Sequence, residues 1–89
     1  MIERKLAIVN RLGLHARASA RVVQVASQFQ CAIFLLHRGR EINAKSIMGL
    51  MMLAAGKGSE LTLRTDGADE SAAADAIAEL FANRFGEPD

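Results

Sequence analysis

Cysteine, proline and the larger aromatic residues are scarce in this sequence, which has one Cys, one Pro and no Trp or Tyr among 89 residues. The single cysteine, Cys31, excludes an internal disulfide framework and favours a reducing compartment. Without Trp or Tyr the chain has few side chains on which nucleic-acid bases could stack, and its net charge is only +1. We therefore expect a cytoplasmic protein that does not bind nucleic acid.

Long apolar runs are also missing. The longest, Ile47–Ala55, has 9 residues, about half of the ~20 that a membrane-spanning helix needs. The charged residues near the N-terminus are not followed by an apolar segment, so we expect no signal peptide and no membrane insertion. Hydrophobic residues nevertheless make up 51% of the chain, as is typical of globular proteins. The length favours one domain, which we place at residues 1–85, followed by a short tail at 86–89.

The small net charge hides an asymmetry between the two halves of the chain. Residues 1–45 contain 8 Lys and Arg but 2 Glu, whereas residues 46–89 contain 3 Lys and Arg but 8 Asp and Glu. Three of the arginines, Arg11, Arg17 and Arg21, lie close to His15 in the sequence. Such a field attracts an acidic partner or a phosphate, although a solvated basic face would have the same composition.

The hydrophobic periodicity predicts seven elements in the order β-α-β-β-α-β-α. The strands are expected at Ile2–Val9, Cys31–His37, Arg40–Asn43 and Ser59–Thr65, and the helices at about Ala16–Gln28, after Ser46, and from Asp69 to Gly86. Two strand-helix-strand units side by side favour an α+β fold, with a four-stranded antiparallel sheet covered by helices on one face. The pattern alone is compatible with more than one strand order.

His15 lies between a loop that contains Gly13 and the predicted first helix. The unpaired N–H groups of a helix start carry partial positive charge and form an anion site, to which the guanidinium of Arg17 could add donors. The same positive surroundings favour neutral imidazole, the nucleophilic form needed for phosphoryl transfer to histidine. The sequence near His15 has no carboxylate base and no metal-ligand spacing, so we expect neither a hydrolase site nor a metal. A simple helix cap explains His15 about equally well.

The segment after Ser46 predicts a short helix that is apolar on nearly every side. Ser46 is placed as its N-cap. We expect Leu50 and Leu53 to be buried, and Ile47, Met48 and Met51 to be exposed. Methionine is adaptable and suits a surface that contacts several partners in turn.

Two segments resemble the HPr family of histidine-containing phosphocarriers. GLHARASARVVQVASQF is similar to the family's active-site segment, and NAKSIMGLMMLAAGKGSELTL is similar to its regulatory-serine region. The two segments are separated by the spacing that the family uses, and the resemblance covers residues 2–85. It implies an open-faced β-sandwich, with a four-stranded antiparallel sheet in the order 1-4-2-3 covered on one face by three helices.

The resemblance also implies a function. His15 would be phosphorylated on Nδ1, by phosphoenolpyruvate through enzyme I, and would pass the phosphoryl group to an enzyme IIA protein of the sugar or nitrogen branch. Arg17 would contact the phosphate, the backbone of Ala16 and Arg17 would cradle it, and Ser46 would be the site of an HPr kinase. Such a protein is a monomeric, stoichiometric substrate of other enzymes, without a cofactor or metal.

The family docks its partners through the second helix and the start of the first. Carried onto this sequence, that surface consists of Leu14, Ala20, Arg21, Gln24, Ile47, Met48 and Met51. A phosphate on Ser46 would add negative charge inside it, which predicts a switch that weakens docking without unfolding the helix. The alternative is a purely regulatory binding module in which His15 is only a helix cap.

The sequence departs from the common family pattern at Ala18, where many members have proline. Alanine is a strong helix former and keeps its N–H, so the anion site is expected to survive the change. The tail that begins at Gly86 extends past the last predicted helix, and it leaves open whether a carboxylate from the C-terminus reaches the site.

Overall fold

The strands and helices follow the predicted order along the part of the chain, residues 1–88, that the computed structural model describes. The strands are β1 (Ile2–Ala7), β2 (Ala32–His37), β3 (Arg40–Asn43) and β4 (Glu60–Asp66). The helices are α1 (Ala16–Ala26), α2 (Ile47–Met52) and α3 (Glu70–Ala82), and α3 is followed by a 3-10 turn at Arg84–Gly86. None of the helices in residues 1–88 is long and apolar enough to cross a membrane.

The four strands form one antiparallel sheet in the order β1-β4-β2-β3. This confirms both the predicted sheet and the strand order implied by the family resemblance. β4 lies inside the sheet, with Leu61 opposite Leu6 of β1 and Leu63 opposite Leu35 of β2. Because side chains alternate between the faces of a strand, this register places these leucines on the same face.

The helices cover that face and enclose the core. Small residues lie where helices meet their neighbours, and Ala18, Ala73 and Ala74 are fully buried. The opposite face of the sheet is open and carries charged side chains, since Arg64 donates hydrogen bonds to Glu3 at 2.8 Å and to Glu41 at 3.1 Å. The arrangement is the expected α+β open-faced sandwich.

The first helix ends at Ala26, two residues earlier than the periodicity indicated. Beyond it, the N–H of Gln28 bonds to the carbonyl of Val25 at 3.1 Å, and that of Phe29 to Ala26 at 3.2 Å. These tighter three-residue turns replace the α-helical bonds and lead the chain into β2. The apolar stripe that ends in Phe29 therefore extends beyond the regular helix.

The chain changes direction sharply after α3, at Arg84 and Phe85. Both residues have left-handed backbone angles, with φ of +62° and +56°, a conformation that costs a residue with a side chain about 1–2 kcal/mol. Burial of Phe85 offsets this cost, because its ring packs edge-on against Phe81 with the ring centroids 4.8 Å apart. The reversal places Glu87 beside the N-terminus of α1, where its side chain bonds to His15 and Asn10.

Candidate functional site

His15 is the N-cap of α1. Its backbone is extended, and its Nδ1 accepts a hydrogen bond from the backbone N–H of Arg17 at 3.3 Å. An acceptor nitrogen carries a lone pair and no proton, so Nδ1 is the nucleophilic nitrogen of the ring. This nitrogen points toward the start of α1, where the positive end of the helix dipole lies.

The loop before His15 is fixed by close backbone contacts. Gly13 has φ of +66°, and a Cβ added there would lie 2.5 Å from the carbonyl oxygen of Ala55. The neighbouring N–H of Leu14 donates to that same carbonyl at 3.0 Å. Asn10 is buried and its side-chain Nδ2 donates to the carbonyl of Gly13 at 3.0 Å. Glycine is therefore required at position 13 by both its backbone angle and the lack of space.

The second ring nitrogen of His15, Nε2, donates a hydrogen bond to Oε2 of Glu87. The other carboxylate oxygen of Glu87 accepts a hydrogen bond from Nδ2 of Asn10 at 2.8 Å. The carboxylate is largely buried, with only 10% of its side chain exposed. The expectation that His15 has no adjacent carboxylate is therefore wrong, since the carboxylate comes from the end of the chain.

Glu87 is ionised in this setting. Burial on its own would raise the pKa of the carboxyl, but the hydrogen bonds from Asn10 and His15, and the positive charge of Arg17, lower it. The lowering effects outweigh burial, so the pKa lies below its ordinary value. A carboxylate that accepts at Nε2 fixes the tautomer of the neutral imidazole ring, with the proton on Nε2 and Nδ1 accepting the hydrogen bond from the N–H of Arg17.

A surface cavity of about 490 Å³ opens beside His15. Its lining includes Arg11, Leu12, Ala16, Arg17, Glu87 and Pro88. Two arginines and the start of α1 therefore surround the ring, and Ala16 and Arg17 are both exposed. An anion held here could bind to backbone N–H groups and to a guanidinium together. Within residues 1–88 no group of three or more His, Cys, Asp and Glu could hold a metal ion.

Ser46 is the N-cap of α2, as predicted. Its Oγ accepts a hydrogen bond from the N–H of Gly49 at 3.1 Å, and the residue is exposed. The hydroxyl is thus bound to the helix start and open to solvent at the same time.

A patch of exposed apolar side chains continues from Ser46 along α2. Ile47 is 42% exposed, Met48 76% and Met51 47%, whereas Leu50 and Leu53 are buried. Of the predicted partner residues on α1, Ala20, Arg21 and Gln24 are exposed, and α1 packs against α2. We call the exposed residues Ala20, Arg21, Gln24, Ile47, Met48 and Met51 the docking surface, after the role that the family resemblance implies for them.

Leu14 does not belong to this surface, although the family resemblance implies that it does. Only 5% of the residue is exposed, and it is part of the hydrophobic core. Its N–H is bonded to Ala55, so the loop holds its side chain inward while His15, the next residue, faces outward. Leu14 therefore supports the His15 loop from beneath.

These features define a class of small α+β protein that presents a histidine at a helix N-terminus beside an exposed apolar surface. Comparisons identify the family. The sequence model described as "PTS HPr component phosphorylation site" matches residues 2–83. The phosphocarrier protein HPr of Cupriavidus necator is 56% identical over 87 residues, with 98% of each chain covered, and that of Xylella fastidiosa strain Temecula1 is 54% identical at the same coverage.

Solved structures agree with the sequence comparisons. HPr-C-His from Thermoanaerobacter tengcongensis superposes with a TM-score of 0.94 at 41% identity, covering 98% of both chains. Crh, the catabolite repression HPr of Bacillus subtilis, matches with a TM-score of 0.76 at 40% identity, covering 94% of this chain and 97% of its own. The chain belongs to the HPr family of the phosphotransferase system. It is a phosphocarrier and not an enzyme.

Proposed function

We propose that the chain accepts a phosphoryl group on Nδ1 of His15 from phospho-enzyme I and passes it to enzyme IIA proteins that serve sugar uptake. The observation that carries this proposal is the arrangement of the His15 ring, with Nδ1 unprotonated at the start of α1 and Nε2 bound to Glu87. Family membership supports the direction of transfer. The single buried cysteine supports a cytoplasmic location, and we propose a monomer as the acting form.

In the forward step the lone pair of Nδ1 attacks phosphorus while the bond between phosphorus and the donor atom of phospho-enzyme I breaks, and that atom keeps the bonding electron pair. The ring of His15 keeps its Nε2 proton and gains positive charge, which the carboxylate of Glu87 stabilises at the point where it develops. The N–H of Arg17 exchanges its bond to Nδ1 for one to a phosphoryl oxygen. The N–H of Ala16 and the guanidinium of Arg17 supply further donors.

The docking surface is assigned to enzyme I and the enzyme IIA proteins. Exposed methionines repack against different partner shapes at low cost, which suits a carrier that meets its donor and its acceptors on the same face. Arg21, together with Arg17, adds positive charge at the edge of the surface and favours acidic partners.

Ser46 is proposed as a regulatory phosphosite for an HPr kinase. A phosphoserine carries a charge of about −1.5 to −2 near neutral pH, and here that charge would lie directly beside Ile47 and Met48. The start of α2 tolerates a negative group. Phosphorylation is therefore expected to weaken docking and to leave the fold intact.

The test is phosphoryl transfer from phosphoenolpyruvate, with enzyme I, to the wild type, His15→Ala and His37→Ala. His37→Ala is the matched control, because His37 is the other histidine of the chain and lies at the end of β2. We expect an acid-labile phosphate adduct by intact mass on the wild type and on His37→Ala, and none on His15→Ala. A folded wild type that stays unmodified by an active cognate enzyme I would contradict the proposal.

A regulatory binding module is the second candidate. It is favoured by the cap hydrogen bond of His15, which stabilises α1 whether or not the ring is phosphorylated. This hypothesis predicts that His15→Ala destabilises the fold, and that partner proteins bind the wild type without transfer of a phosphoryl group. The same experiment separates the two functions, because only the phosphocarrier acquires the adduct.

A further inference from the structure

A second group of cations lies away from His15, around a groove between the β2–β3 turn and the loop that leads into β4. Two cavities, of about 350 Å³ and about 480 Å³, share the residues His37, Arg38 and Ser59 in their lining. Arg40 lines the first cavity and Lys57 the second. Neither Asp nor Glu lines the first, and Glu60 is the acidic residue in the lining of the second.

Of the cationic side chains that line the groove, that of Arg40 is fixed by a hydrogen bond, whereas those of Arg38 and Lys57 have no ion-pair or hydrogen-bond partner within residues 1–88. Arg40 is fixed, because its Nη1 donates to the carbonyl of Met52 at the end of α2 at 2.9 Å, and its other N–H groups remain available. Arg38 sits in the hairpin turn with a left-handed φ of +52°. Within residues 1–88, Arg38 and Lys57 make neither an ion pair nor a side-chain hydrogen bond. Such unpaired cations raise the local concentration of small anions.

The walls of the groove leave room for a ligand. Gly56 lines the first cavity and Gly58 the second, and both face open space, since a Cβ added to either would meet nothing within 4 Å. The hydroxyl of Ser59 adds a neutral donor at the shared wall. Met52 contributes a large exposed apolar side chain to the lining of the first cavity, and the rest of the lining is mostly small or polar. A concave, glycine-lined and cationic groove fits a small polar anion better than it fits a protein surface.

We infer that this groove binds the dianionic phosphate group of a small ligand, either free phosphate or a phosphomonoester. Arg38, Arg40 and Lys57 supply the charge, and the guanidinium of Arg40 supplies donors in a fixed position. The volume of the first cavity is near the lower end of the range for small-molecule sites, about 300–1,000 Å³. This site uses neither His15 nor the start of α1 and does not depend on the proposed function.

The groove is connected to the His15 loop through its floor. Ala54 and Gly56 line the first cavity, and Ala55, between them, accepts the hydrogen bond from Leu14. The backbone of Gly13 also lies against Gly56, since a Cβ at Gly13 would approach its Cα to 2.8 Å. A ligand in the groove therefore contacts the same loop that holds Gly13 and Leu14.

The test is a titration of the full-length ¹⁵N-labelled protein with inorganic phosphate and, separately, with glycerol 3-phosphate, each at constant ionic strength set with sodium chloride. We expect saturable shifts of the amides of Gly39, Lys57 and Gly58 with at least one of the two probes. Comparison of the two affinities shows whether the groove prefers free phosphate or a phosphomonoester. Shifts that do not saturate, or that are confined to Ala16 and Arg17, would overturn the inference.

A double variant, Arg38→Asn with Lys57→Gln, tests the assigned residues. Asparagine tolerates the left-handed backbone at position 38, and neither replaced side chain makes an ion pair or a side-chain hydrogen bond that the fold would lose. We expect binding to weaken by about tenfold or more, because two charge-assisted contacts are removed. Lys5→Gln is the control, because Lys5 is an exposed cation on β1 outside the groove. Equal affinity of the double variant and the wild type would show that the groove is not the site.

Discussion

His15 and Glu87 are joined by a hydrogen bond from Nε2 to Oε2 across 72 positions of the chain. Because of this bond, the segment that follows the 3-10 turn at Arg84–Gly86 forms part of the histidine site. It also defines which nitrogen of the ring can act, because a proton held at Nε2 leaves Nδ1 with its lone pair. Asn10 binds the other oxygen of the same carboxylate and orients it.

Glu87→Gln is expected to slow phosphoryl transfer to His15 by about three- to tenfold, since a neutral acceptor stabilises the developing charge less than a carboxylate does. The measurement is the single-turnover rate with phospho-enzyme I, together with the ¹⁵N shifts of the ring nitrogens, which report the tautomer. Glu79→Gln is the control, because Glu79 is an exposed carboxylate on α3. If Glu87→Gln kept the wild-type rate and tautomer, Glu87 would have no positioning role.

The stability contributed by Glu87 is expected to depend on pH. Its folded-state pKa lies below the ordinary value of 4.5, so the contribution is fully present above that value and is lost as the pH falls through the folded pKa. The difference in unfolding free energy between wild type and Glu87→Gln should therefore shrink as the pH falls from about 5 to about 3. Urea unfolding across this range measures it. An increase in this free-energy difference as the pH falls through that range would contradict the prediction.

Local patterns predicted much of the fold and part of the site. The caps at His15 and Ser46, the burial of Leu50 and the exposure of Met48 all follow from residues within one or two turns. The strand order was implied by the family resemblance and not by the pattern, because pairing between distant strands leaves no local trace.

Glu87 and Leu14 show where local patterns fail. Glu87 reaches His15 only because Arg84 and Phe85 adopt left-handed angles, which residues with side chains seldom do and which the burial of Phe85 stabilises. The family resemblance implies a surface position for Leu14, but a hydrogen bond to Ala55, in a loop 41 residues away in sequence, holds it inward. Both outcomes depend on tertiary contacts.

Gly13→Ala is expected to destabilise the protein by about 2–4 kcal/mol, because the methyl group would collide with Ala55 and the backbone angle is unfavourable. Gly39→Ala is a matched control, since Gly39 also has a positive φ but has nothing within 4 Å of the added Cβ. We expect a loss of only about 1 kcal/mol there. Denaturant unfolding of both variants separates the collision from the backbone cost. Equal losses would mean that the contact with Ala55 has no energetic importance.

Ser46→Asp is expected to keep the fold and weaken docking. Aspartate is as good an N-cap as serine, so the free energy of unfolding should stay close to that of the wild type, whereas Ser46→Ala should lose about 1 kcal/mol. The new charge lies beside Ile47 and Met48, and we expect enzyme I to bind about tenfold more weakly, which corresponds to about 1.4 kcal/mol.

Ser71→Asp is the matched control for this substitution. Ser71 is an exposed serine in the first turn of α3, so the same change adds the same charge at another helix start. Calorimetric titration with enzyme I should give wild-type affinity for Ser71→Asp and reduced affinity for Ser46→Asp. If both variants lost affinity equally, net charge would be the cause. If neither did, Ser46 would act as a helix cap alone and the proposed switch would be wrong.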